Sequence, residues 1–298
     1  MINPERKLLS PALRKQLLGF ENTCREGARD FSGEKKFQVT DFLIHRYPDR
    51  AVLLATGKCF ARCSFCFRRD WWDGREIDRR GMQAAKEYLR AHPAARELII
   101  SGGDPLTLTD GKLRELLACF SSLPFLNLFR VASRALSFKP ERVGPGLAKV
   151  FRQSRKPVWF ISHFNHGDEI NQAVAAAVKR LRLAGVPVLN QTVLLKGVND
   201  RVSVLSELFR SLAGLGVKPY YLFQCDPCPG GERFATDLEK SIALVRQLSG
   251  LSGIVVPRFA FELPGYGKLS PEPEWQIRKR ARHYQLTSPA GKTYFYPR

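Results

Sequence analysis

From residue 51 onward, hydrophobic and polar positions switch between two periods. Short apolar runs at 51–55, 97–101, 126–131, 157–161, 187–195 and 218–223 fit β-strands. Between them lie helical patterns, among them Gln83 to Ala91, Gly111 to Phe120, Glu169 to Ala184 and Val202 to Ala213. Pro or Gly punctuates most junctions, as in Gly185-Val186-Pro187 and Gly216-Val217-Lys218-Pro219. Strand–helix alternation implies parallel strands joined by right-handed crossovers. Six such units predict an α/β fold, an open partial (β/α)6 barrel, better than a closed eight-stranded one. Residues 1–44 read as an N-terminal helical extension, 45–270 as the barrel, and 271–298 as a basic C-terminal segment. Within the extension, Pro11 to Leu18 fits a short amphipathic helix and Ser32 to Lys36 a polar loop. Cys24 has no evident partner and is expected to be a free thiol.

The polar motifs fall at one end of this pattern. Cys59–Cys66 follows the first strand, Ser101-Gly102-Gly103-Asp104 the second, and Ser133-Arg134 the third. His163-Phe164-Asn165-His166 follows the fourth, Asn190-Gln191 lies within the fifth, and Gln224-Cys225-Asp226 follows the sixth. In such barrels the C-terminal strand ends form the active-site mouth. Any one cluster reads as turn chemistry; six at the same end read as a site.

Cys59, Cys63 and Cys66 have a C-x3-C-x2-C spacing, from which three thiolates converge on one metal centre when the loop curls. A structural zinc site closes with four protein ligands, whereas a [4Fe–4S] cluster held by three leaves one iron open. Spacing alone leaves buried thiols, or a zinc knuckle borrowing a remote ligand, open. Ser101 to Asp104 lets backbone approach a ligand with no Cβ in the way. Arg46 and Arg50 can together grip a phosphate through forked hydrogen bonds. Lys268, at the end of the Gly-rich turn that follows Glu262, can reach an enclosed ligand, and lysines form Schiff bases with pyridoxal phosphate. Cys225 and Cys228 read as a loop thiol pair.

Composition narrows the classes. The 298 residues suffice for one barrel-sized core, and a hydrophobic fraction of 44% is ordinary. No stretch approaches the ~18 apolar residues of a membrane helix, and the N-terminus opens no signal peptide, so a cytoplasmic protein is expected. Seven cysteines, an odd number with three in one loop, read as metal ligands in a reducing compartment. The 48 Lys+Arg against 28 Asp+Glu leave a charge of +20. That excess fits an anionic partner and, equally, a solvated basic surface. Beyond Gln276 stand Arg278, Lys279, Arg280, Arg282, Lys292 and Arg298 with no acidic residue. No aromatic-plus-basic RNA-binding consensus accompanies them, which argues against nucleic acid.

Taken together, the motifs resemble lysine 2,3-aminomutase, a family of radical S-adenosylmethionine enzymes. The resemblance rests on Arg46-Tyr47-Pro48-Asp49-Arg50, Cys63-Ser64-Phe65-Cys66-Phe67-Arg68-Arg69, Ser101 to Asp104, His163 to His166, Asn190 to Leu195, and Pro219-Tyr220-Tyr221 with Gln224 to Asp226. It spans roughly residues 43–270 in family order. The resemblance implies a [4Fe–4S] cluster on Cys59, Cys63 and Cys66, S-adenosylmethionine beside it, and pyridoxal 5′-phosphate on Lys268 with its phosphate on Arg46 and Arg50. It implies that Ser101, Gly102, Gly103, Asp104, Ser133, His163 and Gln191 place S-adenosylmethionine. Arg68 would pair with the substrate α-carboxylate, and Asp226 and Glu262 with the ε-ammonium. The implied activity converts L-α-lysine to β-lysine through a 5′-deoxyadenosyl radical. It implies a reductant such as flavodoxin or ferredoxin and leaves room for a homo-oligomer. The short frame looks more like the branch that serves elongation factor P. Glu262 replaces the family's usual Asp, the Gly-rich turn is one residue shorter, and Phe223 stands where Tyr is common. These departures keep an aminomutase for another amino acid open. A radical RNA-modifying enzyme and a zinc-stapled nucleic-acid binder are the alternatives from other classes.

Overall fold

The computed structural model describes residues 10–17, 30–68, 74–271, 275–288 and 291–297. Leu18, Cys24, Arg69 and Arg298 lie outside the described residues. Helix α1 (Pro11–Leu17) is followed by strands β1 (Gln38–Thr40), β2 (Leu43–Tyr47) and β3 (Arg50–Thr56). Then come α2 (Arg79–Ala91), β4 (Glu97–Gly102), α3 (Asp110–Ser121), β5 (Leu128–Ala132), α4 (Ala135–Phe138), α5 (Pro145–Arg152) and β6 (Val158–Ser162). The barrel continues through α6 (Gln172–Leu183), β7 (Val188–Leu194), α7 (Val202–Gly214), β8 (Lys218–Gln224), α8 (Leu238–Leu248), β9 (Arg258–Leu263) and β10 (Gly267–Leu269). The chain ends with β11 (Gln276–Lys279), β12 (His283–Thr287) and β13 (Thr293–Pro297).

Strands β1 to β10 form one sheet in chain order, with β3 to β9 parallel. This is the open α/β barrel expected, with β9 as a seventh parallel strand that the apolar runs did not reveal. Antiparallel hairpins flank it at both edges, through β1–β2–β3 and β9–β10. Residues 38–47, inside or beside the segment read as an extension, therefore belong to the sheet.

The helices bury stripes at helical spacing, such as Leu113, Leu116, Leu117 and Phe120 on α3 and Leu205, Leu208, Phe209 and Leu212 on α7. Each such side chain contributes about 1.5–3 kcal/mol on burial. Helix starts follow their caps. Asp78 accepts from the Gly81 N–H at 2.7 Å, so α2 begins four residues before the apolar pattern at Gln83. Asn171 accepts from the Val174 N–H at 3.0 Å, so α6 begins after Glu169, which instead closes a 3₁₀ turn with His166.

Along β5 and β7 burial alternates. Phe129, Val131, Val188 and Leu194 are buried beneath the helices, whereas Leu128, Arg130, Leu189, Gln191 and Val193 stay half-buried. The less buried rows line the inner face of the open barrel, a channel rather than a filled core. Side chains stitch its two edges together: Arg46 on β2 pairs with Glu262 on β9 at 2.6 Å, and the Lys268 N–H donates to the Tyr47 hydroxyl at 2.9 Å.

The basic C-terminal segment is a three-stranded antiparallel sheet, β11–β12–β13. Its Tyr284, Leu286 and Tyr296 join the main core, and Tyr296 packs edge-on to Phe261 with ring centres 5.0 Å apart. Among the described residues no helix is long and apolar enough to cross a membrane.

Candidate active site

The cysteine loop leaves β3 and lies on the turn that follows β4. Gly102 has φ +108°, and a Cβ there would come within 2.5 Å of the Thr56 carbonyl. A Cβ on Gly103 would overlap the Lys58 carbonyl. Glycine at both positions lets the Gly103 and Asp104 N–H groups donate to Thr56 O at 2.5 Å and Lys58 O at 2.7 Å. The Asp104 carboxylate accepts from Ser133 Oγ (2.7 Å), the Leu106 N–H (3.0 Å) and the Arg134 N–H (2.9 Å), tying the ends of β4 and β5 together. Burial pushes that carboxyl above its usual range, and these hydrogen bonds oppose the shift.

Arg134 aims its guanidinium at the loop. Nη1 donates to Cys63 Sγ at 2.7 Å, Nη2 to Gln16 Oε1 and Glu169 Oε2, both at 3.0 Å, and Nε to His163 O at 3.2 Å. Gln16 is buried on α1, takes a second hydrogen bond from Asn165 Nδ2 at 2.9 Å, and gives its carbonyl to the Ser64 N–H at 2.9 Å. Helix α1 is thereby built into the mouth. Gln16 and Glu169 were missed by sequence reasoning, since neither stands in a motif; only contacts between distant segments reveal them. His163 Nε2 donates to Asn165 Oδ1 at 3.1 Å, and the ring packs against Phe65. Burial first, then Arg134, hold it well below the usual histidine range, so it is neutral at pH 7. Gln191 is half-buried on the channel face of β7.

Cys63 is buried, Cys66 half-buried and Cys59 exposed at the loop's rim. The surrounding protein, Asp104 and the other two thiols push the Cys59 thiol up, while Arg134 opposes. The three sulfurs thus lie within one another's electrostatic reach. Among the described residues no three His, Cys, Asp or Glu side chains already stand as a metal cage, so the thiols would have to turn inward to share one centre. Three sulfur donors with no fourth Cys or His in the loop itself, and a neighbouring cation, fit a cluster with one open iron. Cys228 Sγ donates to Phe65 O at 3.8 Å and Cys225 Sγ to Gly231 O at 3.6 Å, packing that pair beneath the loop.

Lys268 stands deeper in the channel. Its Nζ lies 4.4 Å from the Tyr221 ring centre and 4.9 Å from that of Phe223. Burial, then Arg50 and Arg130, with a smaller push from Arg258, bring its ammonium down to about 8, against the opposing charge of Glu262. A lysine so poised supplies a neutral amine near physiological pH. Arg46 is committed to Glu262, while Arg50 pairs with Asp49 at 2.7 Å and stacks over Tyr47. The cations that act most on Lys268 are thus Arg50, Arg130 and Arg258.

Arg68 closes the other side. Its Nη1 donates to Ser101 Oγ at 3.3 Å, but its Nε and Nη2 are taken by Glu34, at 2.7 and 2.5 Å. Sequence reasoning passed over Glu34, which sits in a polar loop with no motif. Asp226 is pushed up to about 7, first by burial, then by the charges of Glu262 and Glu34. Burial raises Glu262 as well, against the pull of Arg46. Asp226 and Glu262 thus share one electrostatic neighbourhood with Lys268, and Glu34 joins it to Arg68.

A sequence model described as the Radical SAM superfamily matches residues 53–207. L-lysine 2,3-aminomutase of Escherichia coli (strain K12) is 35% identical over 271 residues, covering 90% of this chain and 78% of the relative. L-lysine 2,3-aminomutase of Clostridium subterminale is 40% identical over 233 residues, covering 77% of this chain and 56% of the relative, so this chain spans about half of that protein. A crystal structure of a radical SAM methyltransferase from Sphaerobacter thermophilus superposes with TM-score 0.51 at 17% identity, over 73% of this chain and 68% of that one, a likeness of fold alone. A three-cysteine loop and a desolvated lysine in one open barrel, with this extent of identity, have one accounting: the chain belongs to the lysine 2,3-aminomutase family of radical SAM enzymes.

Proposed function

We propose that this chain converts L-α-lysine to β-lysine, with a [4Fe–4S] cluster, S-adenosylmethionine and pyridoxal phosphate. The observation that carries the reading is the shared channel: an amine at about 8 on Lys268, a guanidinium on Arg68 and an acidic pair on Asp226 and Glu262. A free diamino acid needs a cation for its carboxylate and an anion for its distal ammonium, because buried charges must be paired.

Cys59, Cys63 and Cys66 would hold the cluster, with the Arg134 guanidinium hydrogen-bonded to the Cys63 sulfur. Together the bound groups supply a one-electron hydrogen abstraction and an electron sink for the migrating nitrogen. Lys268, whose amine lies beside the Tyr221 and Phe223 rings, would hold pyridoxal phosphate. Arg50, with Arg130 and Arg258, would meet its phosphate, while Arg46 would hold Glu262 in place. Asp226 and Glu262 would orient the substrate's ε-ammonium, and Arg68 its α-carboxylate. The rim residues Ser101 to Asp104, Ser133, neutral His163 and Gln191 would surround S-adenosylmethionine. The channel walls keep water and stray hydrogen donors away. The residue pattern favours the branch that supplies β-lysine for elongation factor P, with a flavodoxin- or ferredoxin-type reductant.

Anaerobic reconstitution with iron, sulfide and pyridoxal phosphate tests the cofactor assignment. The expected protein carries iron and shows the visible absorbance of lysine-bound pyridoxal phosphate, and Lys268→Ala loses the second and keeps the first. Zinc without iron, or iron without that absorbance, would overturn it.

A further inference from the structure

Glu34 has no part in the roles above, yet it lies at their centre. It opens the 3₁₀ turn Glu34–Phe37, ahead of β1. The Asp30 carboxylate fixes that turn by accepting from the Glu34 and Lys35 N–H groups at 2.9 and 3.0 Å. Glu34 then meets Arg68 with both oxygens, Oε2 to Nε and Oε1 to Nη2, the forked geometry in which an arginine takes a free carboxylate. The two side chains are only 11% and 14% exposed. Glu34 is buried, and its charge also reaches Asp226 and Glu262.

Two carboxylates cannot occupy one guanidinium fork. The other edge of the guanidinium is turned to Ser101 Oγ through Nη1, so an α-carboxylate that takes the Nε–Nη2 fork of Arg68 must displace Glu34. We infer that Glu34 is an internal competitor for the substrate carboxylate: it fills the Arg68 fork in the ligand-free chain and yields it on binding. This rests on the reading of Arg68 as the carboxylate anchor. The consequence is selectivity. A ligand gains the fork only if its remaining contacts, above all at the Asp226–Glu262 pair, outweigh the Glu34–Arg68 pair. An amino acid lacking a distal ammonium therefore fails to displace Glu34. A diamine without a carboxylate leaves the pair intact and meets no competition.

Equilibrium dialysis on the cluster- and pyridoxal-phosphate-loaded protein, without S-adenosylmethionine so that nothing turns over, tests this with two probes. L-lysine carries the carboxylate; cadaverine is the same diamine without it. Glu34→Gln should tighten L-lysine by about tenfold or more and leave cadaverine within about twofold, tenfold in affinity being about 1.4 kcal/mol. Glu34→Asp, too short to span the fork, should shift L-lysine in the same direction if the Gln variant fails to fold. Arg68→Gln supplies the control, weakening L-lysine and sparing cadaverine. If Arg68→Gln behaves so but the Glu34 variants bind L-lysine no better than the parent, the competitor role is overturned and the anchor stands. If Arg68→Gln weakens both ligands equally, the anchor reading fails and the competitor role with it.

Discussion

Asp226 is a carboxyl in surroundings that disfavour its charge, pushed up to about 7 by burial, Glu262 and Glu34. The folded chain therefore keeps a proton that the unfolded chain releases near pH 4, so Asp226 lowers stability progressively as pH rises from about 4 to about 7. Asp226→Asn should raise the unfolding free energy at pH 8 by roughly 1–3 kcal/mol, change it little at pH 4, and abolish lysine binding. Equal stabilisation at both pH values, read from denaturant melts, would contradict the assignment. Lys268 moves the opposite way, down to about 8. Its neutral fraction rises with pH through that value, so the rate of covalent pyridoxal phosphate capture, followed by absorbance, should reach half its maximum near pH 8. A midpoint above pH 10, where an ordinary lysine titrates, would show that Arg50, Arg130 and burial do not act on it. The motif residues were legible because each sits in a short, dense pattern. Glu34, Gln16, Glu169 and Arg130 were not, because their importance comes from partners 33 to 153 residues away in sequence.

Elements were read well where one face repeats and badly where tertiary partners decide. The apolar runs located β3 to β8 to within two residues at either end, since buried parallel strands are nearly continuous apolar segments. Strand β9 escaped because its sequence, Arg258 to Leu263, mixes Arg and Glu into a short run whose charges face the channel. Strands β1 and β2 escaped because their edge pairing depends on β3. The Ser101 to Asp104 turn was read as a ligand ledge, and its glycines also lock the cysteine loop to β4. Gly103→Ala should therefore press a methyl group into the Lys58 carbonyl and displace that loop, costing about 2–4 kcal/mol, in the range of severe core substitutions. Iron content per chain should fall with it. A variant with parental melting and parental iron would mean that the ledge does not position the loop.

At the scale of the whole molecule, the chain is an open barrel closed by chemistry rather than by backbone pairing. Arg46–Glu262 and Tyr47–Lys268 join β2 to β9 and β10 where Lys268 meets its aromatic floor. The same contacts hold the seam and set the pocket. The +20 charge says least about this. Part of it sits at the end of β11 and just beyond, where Lys279 pairs with Asp237 and Glu239 and Arg280 hydrogen-bonds Gln285. The segment read as a basic tail is a folded sheet whose Tyr284, Leu286 and Tyr296 seal the core. An open channel, three loop thiols at its mouth and a buried lysine are what the proposed isomerisation of a diamino acid would use. The direct measurement is anaerobic incubation of the cluster- and pyridoxal-phosphate-loaded protein with L-lysine, S-adenosylmethionine and a one-electron reductant, followed by chromatographic separation of the amino acids. β-Lysine that requires every one of these components is the predicted result; no β-lysine from protein with verified iron and pyridoxal phosphate content would contradict it.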